Sequence, residues 1–155
     1  MCAAALRVLT HPPHTGSLQR ARTPREAIRV ASKGMGYRSF EIEGFTILVG
    51  KGAAENDELT FRIAAPQDWW MHAAGCPGSH VVIRNPDRLP ALPRPVLERA
   101  AELAAYYSKA RDARGKVEIH LCRAADVRKP RGMPPGKVEI RRWESLRVYP
   151  RSPDE

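Results

Sequence analysis

The chain has 155 residues, a net charge of +9 and a pI near 10.0, with 43% hydrophobic and 28% charged residues. That length and balance suit one ordinary globular domain that needs no disulfide to hold its core. The charge turns attention to a polyanion such as nucleic acid or to an anionic surface, while no apolar run approaches the ~18 residues of a spanning helix.

Residues 1–36 carry six basic side chains, one acid and few large apolar residues. Such a segment buries too little apolar surface to offset its chain entropy, so it is expected to be mostly disordered. A short helix over residues 25–31 is its one local signal. Met35 stands just before the patterned sequence and is an alternative start. The Arg-rich, acid-poor composition also suits a transit peptide, whereas a basic region followed by an apolar run, the mark of a secretory signal, is missing. Cys2, Cys76 and Cys122 form no C-x-x-C pair, which argues against a disulfide framework or zinc knuckle and for a reducing cytoplasm.

Patterned sequence starts at Tyr37. Apolar and polar residues alternate over 40–49 around Glu43-Gly44, a hairpin signal. Residues 56–64 alternate like a strand, yet Asn56 suits an N-cap with acids behind it, so a short helix is expected. Residues 69–73 read as a strand. Pro77-Gly78 reads as a type II turn, and 80–84 as a β-branched strand. Pro93-Arg94-Pro95 opens a helix of about 17 residues, apolar at Leu97, Ala100, Ala101, Ala104 and Tyr107 and ended by Gly115. Strands follow at 116–121, 138–142 and 146–149, with a stiff loop over 129–136. One long helix among many short strands implies an α+β fold, a mainly antiparallel sheet packed on that helix. The divisions are a basic N-terminal segment over 1–36, a folded domain over 37–150 and a tail over 151–155.

Three constellations carry chemistry. His72 and His80 flank Cys76 and Pro77-Gly78-Ser79, with Asp68-Trp69-Trp70 ahead of them. A metal site needs three or four converging ligands, and only Asp68 stands by as a carboxylate, so no metal is expected on His72, His80 and Cys76. Ser79 and His80 are adjacent and point to opposite faces of a strand, which does not suit a Ser-His-Asp triad. The histidines either hydrogen-bond backbone beside core tryptophans or line an RNA surface by imidazole donation and stacking. The second constellation is the helix end, where Tyr106, Ser108, Lys109 and Arg111 suit phosphates or simply complement the dipole. The third is the loop Arg128-Lys129-Pro130-Arg131-Gly132. Its Gly132 and Gly136 are spaced too closely for a P-loop, but a stiff basic loop suits a phosphate backbone. Residues 1–36 and 123–142 each carry net +5, while 37–122 carry zero.

Five short motifs in order complete the pattern: Gly50-Lys51-Gly52 through Asn56-Asp57, Asp68 through His72, Pro77 through Ile83, Leu103 through Arg111, and Val127 through Gly136. Over roughly residues 37–150 the chain resembles NFACT-R, the RNA-binding domain at the C-terminal end of the NFACT ribosome quality control proteins. Gly52 departs from the family's usual Asn or Ser. Of the NFACT-N domain, helix-hairpin-helix elements and coiled coil of full-length members, this sequence contains none, so the resemblance is to a stand-alone NFACT-R protein. It implies a cytoplasmic, non-catalytic protein that binds tRNA or rRNA on stalled large ribosomal subunits, without cofactor or membrane.

On this reading Lys51, Lys109, Arg111, Arg128, Lys129 and Arg131 contact phosphates. His72, His80, Tyr106 and Ser108 add hydrogen bonds or stacking. Asn56, Asp57, Asp68, Trp69, Pro77, Gly78, Ser79 and Gly132 shape the surface. Two alternatives stand beside it: an enzyme acting on RNA or a phosphorylated substrate through His72, His80 and Asp68, and a protein-interaction adaptor on the ribosome.

Overall fold

The computed structural model describes residues 26–155; the disorder and transit-peptide expectations for residues 1–25 lie outside the described residues. Ile28–Val30 (β1), inside the segment expected to lack structure and where a helix was the local signal, is a strand. It lies antiparallel along Tyr37–Ile42 (β2), with Arg29 opposite Phe40. A strand edge offers backbone partners that a lone helical turn does not, which decides the conformation of so short a piece.

Tyr37–Ile42 and Phe45–Gly50 (β3) form the expected hairpin. Its two turn residues, Glu43 and Gly44, both have positive φ, the twist that suits a two-residue hairpin. Ala53–Glu58 (α1) follows, extended by a π-helical turn over Leu59–Ile63. Trp69–Ala73 (β4) and Val81–Ile83 (β5) come next, then Arg94–Tyr106 (α2) and Val117–Arg123 (β6). Val127–Arg128 (β7) and Glu139–Ile140 (β8) pair as a small separate ribbon, and Glu144–Val148 (β9) closes the chain's strands.

The sheet is antiparallel throughout, in the order β1-β2-β3-β5-β4-β6-β9. Strand alternation sends its side chains into two cores. Phe40, Ile47, Val49, Trp69, Met71, Val81, Ile83 and Ile119 pack under α2. Leu48, Trp70, Val82 and Cys122 face the other way, against Leu59 and Val127. The neighbours Trp69 and Trp70 thus serve opposite cores, as the period of two requires. The small side chains of Ala100, Ala101, Ala104 and Ala105 are all fully buried along α2.

The helix is 13 residues long, shorter than expected, and it ends at Tyr106 rather than at Gly115. Competing tertiary hydrogen bonds stop it. Ser79 N–H donates to the Tyr107 carbonyl and Lys109 N–H to the Pro77 carbonyl, each at 2.9 Å, so that Gly78 and Ser108 form a bridge. Gly78 does not have positive φ, so Pro77-Gly78 is not a type II turn. Glycine is required there by proximity, because a Cβ would lie 2.8 Å from the Cβ of Ser108. At the other end of the domain, fully buried Arg99 pairs with Glu102 and donates to the carbonyls of Arg151 and Ser152, which docks the last residues on α2.

Candidate nucleic-acid interface

The second face of the sheet carries the site. A cleft of about 750 Å³ opens between that face and the loop leading into β8. Trp70, His72 and His120 line it from the sheet, and Cys76, Pro77 and Gly78 from the β4–β5 connection. Met133, Pro135, Gly136 and Lys137 line it from the loop.

Asn56 is not an N-cap. It lies inside α1, whose cap is Gly52 with no side-chain hydrogen bond. A Cβ at Gly50 would collide with Asn56 Oδ1, so glycine there makes the slot that the amide occupies. From that slot Oδ1 accepts the His80 N–H at 3.1 Å, and Nδ2 reaches the Gly78 carbonyl at 3.5 Å. Asn56 therefore holds the β4–β5 connection against α1.

The π turn re-aims the chain after α1, as one wider turn does within a helix. It buries Thr60 and leaves Phe61 exposed. Thr60 Oγ1 lies 3.1 Å from Trp70 Nε1 and 2.8 Å from His80 Nδ1. His80 Nε2 lies 3.1 Å from the Gly136 carbonyl. A carbonyl only accepts, so Nε2 carries the hydrogen and Nδ1 of the neutral ring accepts. The order is then determined: Trp70 N–H donates to Thr60, the Thr60 hydroxyl to His80, and His80 to Gly136. His80 is 1% exposed, and burial pushes its pKa down to about 4, with His72 adding to the effect. It shapes the cleft from beneath rather than meeting a ligand, which corrects its reading as an RNA contact.

The basic loop is clamped at two points. Gly136 takes the positive φ that favours glycine, and its N–H donates to Asp57 Oδ1 at 3.1 Å. Asp57 Oδ2 meets Lys129 Nζ at 2.9 Å, and the same ammonium donates to the carbonyls of Pro134 and Lys137. Lys129 thus holds the loop together from a half-buried position. Arg128 is exposed but paired with Glu139 at 2.8 Å, and Arg141 pairs with Asp126. Among the described residues no acid pairs with Arg131, Lys137 or Arg142, and all three are exposed. Gly132, also at positive φ, turns the loop beside Arg131.

His72 is half-buried, stacked on Trp70 with 14° between the planes and set edge-on to His80. Burial lowers its pKa, an effect the Gly78 backbone partly offsets and His120 reinforces. Its cross-strand partner is His120, whose ring meets Trp143 at 5.4 Å. Among the described residues no three His, Cys, Asp or Glu side chains are placed to share a metal ion.

The remaining predicted residues divide. Lys109 and Arg111 are exposed beyond α2, on the segment bonded to Pro77 of the cleft wall. The Arg111 guanidinium lies 4.4 Å over the ring of Tyr106, which packs edge-on against Tyr107. Ser108 is buried, and its hydroxyl donates to the Ala105 carbonyl and accepts from Ala110, so it caps the helix end instead of facing solvent. Lys51 is exposed before α1 and bonds the Ser32 carbonyl. Asp68 is 1% exposed and bound to the N–H groups of Ala65 and Asn85, at the opposite end of β4 from His72. It is not brought to the histidines. Trp69 lies under Arg123 on the α2 side of the sheet, away from the cleft.

His120, Trp143 and Thr60 lie outside the three constellations legible in the sequence, and Lys137 closes the third one beside Gly136. Alternation of Val117, Ile119 and Leu121 already sends His120 to the opposite face, and Arg141-Arg142-Trp143 places an aromatic ring beside two cations. Thr60 left no such signal, because only the π turn brings it under His80.

The family model described as the NFACT protein RNA binding domain matches residues 35–142. A protein named Rqc2 homolog RqcH from Streptococcus suis is 44% identical over 137 residues, 88% of this chain and 23% of that protein. Its namesake from Bacillus subtilis is 42% identical over 109 residues, 69% of this chain and 18% of its own length. The solved C-terminal part of the fibronectin/fibrinogen-binding protein from Streptococcus suis superposes with a TM-score of 0.65 at 36% identity. That match covers 89% of this chain and 49% of the solved one. The chain therefore spans about a quarter or less of the curated relatives it matches.

Proposed function

This chain belongs to the family of the NFACT protein RNA binding domain, and from that premise we propose that it is a non-catalytic RNA-binding protein of ribosome quality control, acting on tRNA or rRNA at the large ribosomal subunit in the cytoplasm. Its relatives named Rqc2 homolog RqcH support the setting. Among the described residues no helix is long and apolar enough to cross a membrane.

One observation carries the RNA reading: a clamped loop holds cations that, among the described residues, no acid pairs, beside a cleft floored by flat rings. Arg131 and Lys137 stand on a loop already ordered by Asp57, Lys129 and His80. Little conformational freedom remains to be lost when a phosphate arrives, so the interaction retains more of its attraction. Lys109, Arg111 and Arg142 extend the positive surface. The protein would use phosphate contacts to position the RNA and the cleft to read its shape or bases.

The test is binding of the whole chain to tRNA and to large ribosomal subunits over a salt series. Affinity should fall steeply with salt. Arg131→Ala and Lys137→Ala should each lower the slope of log affinity against log salt by about 0.7–0.9 for every phosphate that is no longer neutralised. Absence of binding to either RNA at low salt would sink the reading. RNA cleavage that disappears in His72→Ala would instead favour an enzyme, and ribosome binding untouched by the cation variants would favour an adaptor.

A further inference from the structure

Trp143 is 50% exposed. A single exposed apolar residue needs no explanation. This one is the outer member of a run of flat rings. Trp143 packs on His120 at 5.4 Å, His120 is the cross-strand partner of His72, and His72 stacks on Trp70 at 5.9 Å. The run leads from solvent to the floor of the 750 Å³ cleft.

The ring also stands on a ridge. His120 lines the first cleft, while Trp143 lines a second one of about 520 Å³ that carries Arg123 and Arg142. The sheet is open here. Leu146 and Val148 of β9 point into the α2 core, so Ser145 and Arg147, opposite His120 and Glu118, share the other face and are exposed. Among the described residues nothing pairs with Arg142 on one side of the ridge or Lys137 on the other.

An exposed indole among cations, next to a ring-lined cleft, suits a nucleotide whose base is out of a helix. Bases in a duplex stack on each other and offer neither face, whereas unpaired bases stack on aromatic side chains regardless of sequence. We propose that this ridge and cleft bind unpaired RNA nucleotides: one base stacks on Trp143, the next enters the cleft beside His72, and Arg142 and Lys137 take the flanking phosphates. The proposal rests on the RNA-binding reading and narrows its ligand from RNA in general to unpaired segments.

The experiment compares two RNAs of equal phosphate number, an unstructured single strand and a blunt duplex, by fluorescence anisotropy with the whole chain. Trp143→Ala should weaken single-strand binding about 5- to 160-fold, the range expected when one base no longer stacks. Duplex affinity and the salt slope should stay as they were, and Trp143→Phe should recover most of the loss. Trp143 is the exposed indole while Trp69 and Trp70 are buried, so quenching of intrinsic tryptophan emission by the single strand should be smaller in Trp143→Ala. Equal losses on both RNAs, or none on either, would overturn the proposal while leaving RNA binding intact. If the unaltered chain binds neither RNA at low salt, the underlying reading fails and this proposal with it.

Discussion

His80 Nε2 and the carbonyl of Gly136 meet at 3.1 Å across 56 residues of chain. The hydrogen bond joins the start of β5 to the basic loop, and in the neutral ring the other nitrogen accepts from Thr60. A protonated ring would turn Nδ1 into a donor facing a hydroxyl that also receives Trp70 Nε1. The Thr60 contact, on the side of the ring away from the loop, is therefore the one that protonation of this buried side chain would disturb.

Stability should depend on pH through this ring. An unfolded histidine titrates near 6.5, and the folded ring is pushed down to about 4. Between those values the unfolded chain binds more protons, so stability is fully present above pH 6.5 and is lost as pH falls towards 4. The gap corresponds to about 3 kcal/mol. Urea unfolding of the native chain and of His80→Gln at pH 7 and pH 4.5 checks it. The difference between the two proteins should shrink on acidification; parallel curves would show that His80 is not the group responsible.

Thr60→Val keeps the side chain's shape and removes its hydroxyl. It leaves Trp70 Nε1 and His80 Nδ1 buried without a partner, a loss of about 2–4 kcal/mol. Thr60→Ser should retain most of the stability. A Val variant as stable as the Ser variant by thermal and urea unfolding would mean that the hydrogen-bond chain contributes little.

Lys129 and Arg131 are two residues apart, yet they should behave differently. Lys129→Ala leaves Asp57 without its ammonium and the Lys137 carbonyl without that donor, which should cost about 1–3 kcal/mol and expose the loop to proteolysis. Arg131→Ala should change stability by no more than about 0.5 kcal/mol while lowering the salt slope of RNA binding. Limited proteolysis beside salt-dependent binding separates them, and identical behaviour of the two variants would contradict the clamp.

Gly78→Ala tests the end of α2. The new Cβ would press on Ser108 and push residues 77–79 from 107–109, for a loss of about 1–3 kcal/mol. The expected signature is faster amide exchange at Ser79 and Lys109, whose N–H groups cross this junction. Unchanged exchange at both would show that the junction tolerates the methyl group.

Elements with a local cause were legible from the residues. Alternation marked β2 and β3, and the positive φ that a two-residue turn demands was foreshadowed by Glu43-Gly44. Apolar spacing marked α2, and Pro93 and Pro95 its start. Elements with a distant cause were not. The helix ends at Tyr106 because residues 77 and 79 take its next backbone groups, and neither that competition nor the strand at Ile28–Val30 has a signal within its own segment.

The candidate site divides along the same line. By itself the sequence determined the family, the α+β class, the mainly antiparallel sheet and the concentration of charge in residues 123–142, because each depends on residue type, order or period. Only the tertiary structure decided which of those charges remain exposed and unpaired. Lys129 and Arg131 are alike in a sequence, and Asp57 distinguishes them only after 72 residues of chain have folded back upon each other. It also decided that His80 is a buried strut and that His120 and Trp143 line the open face. An ion pair or a burial depends on what the rest of the chain brings within a few ångströms, and no spacing along the chain encodes that distance.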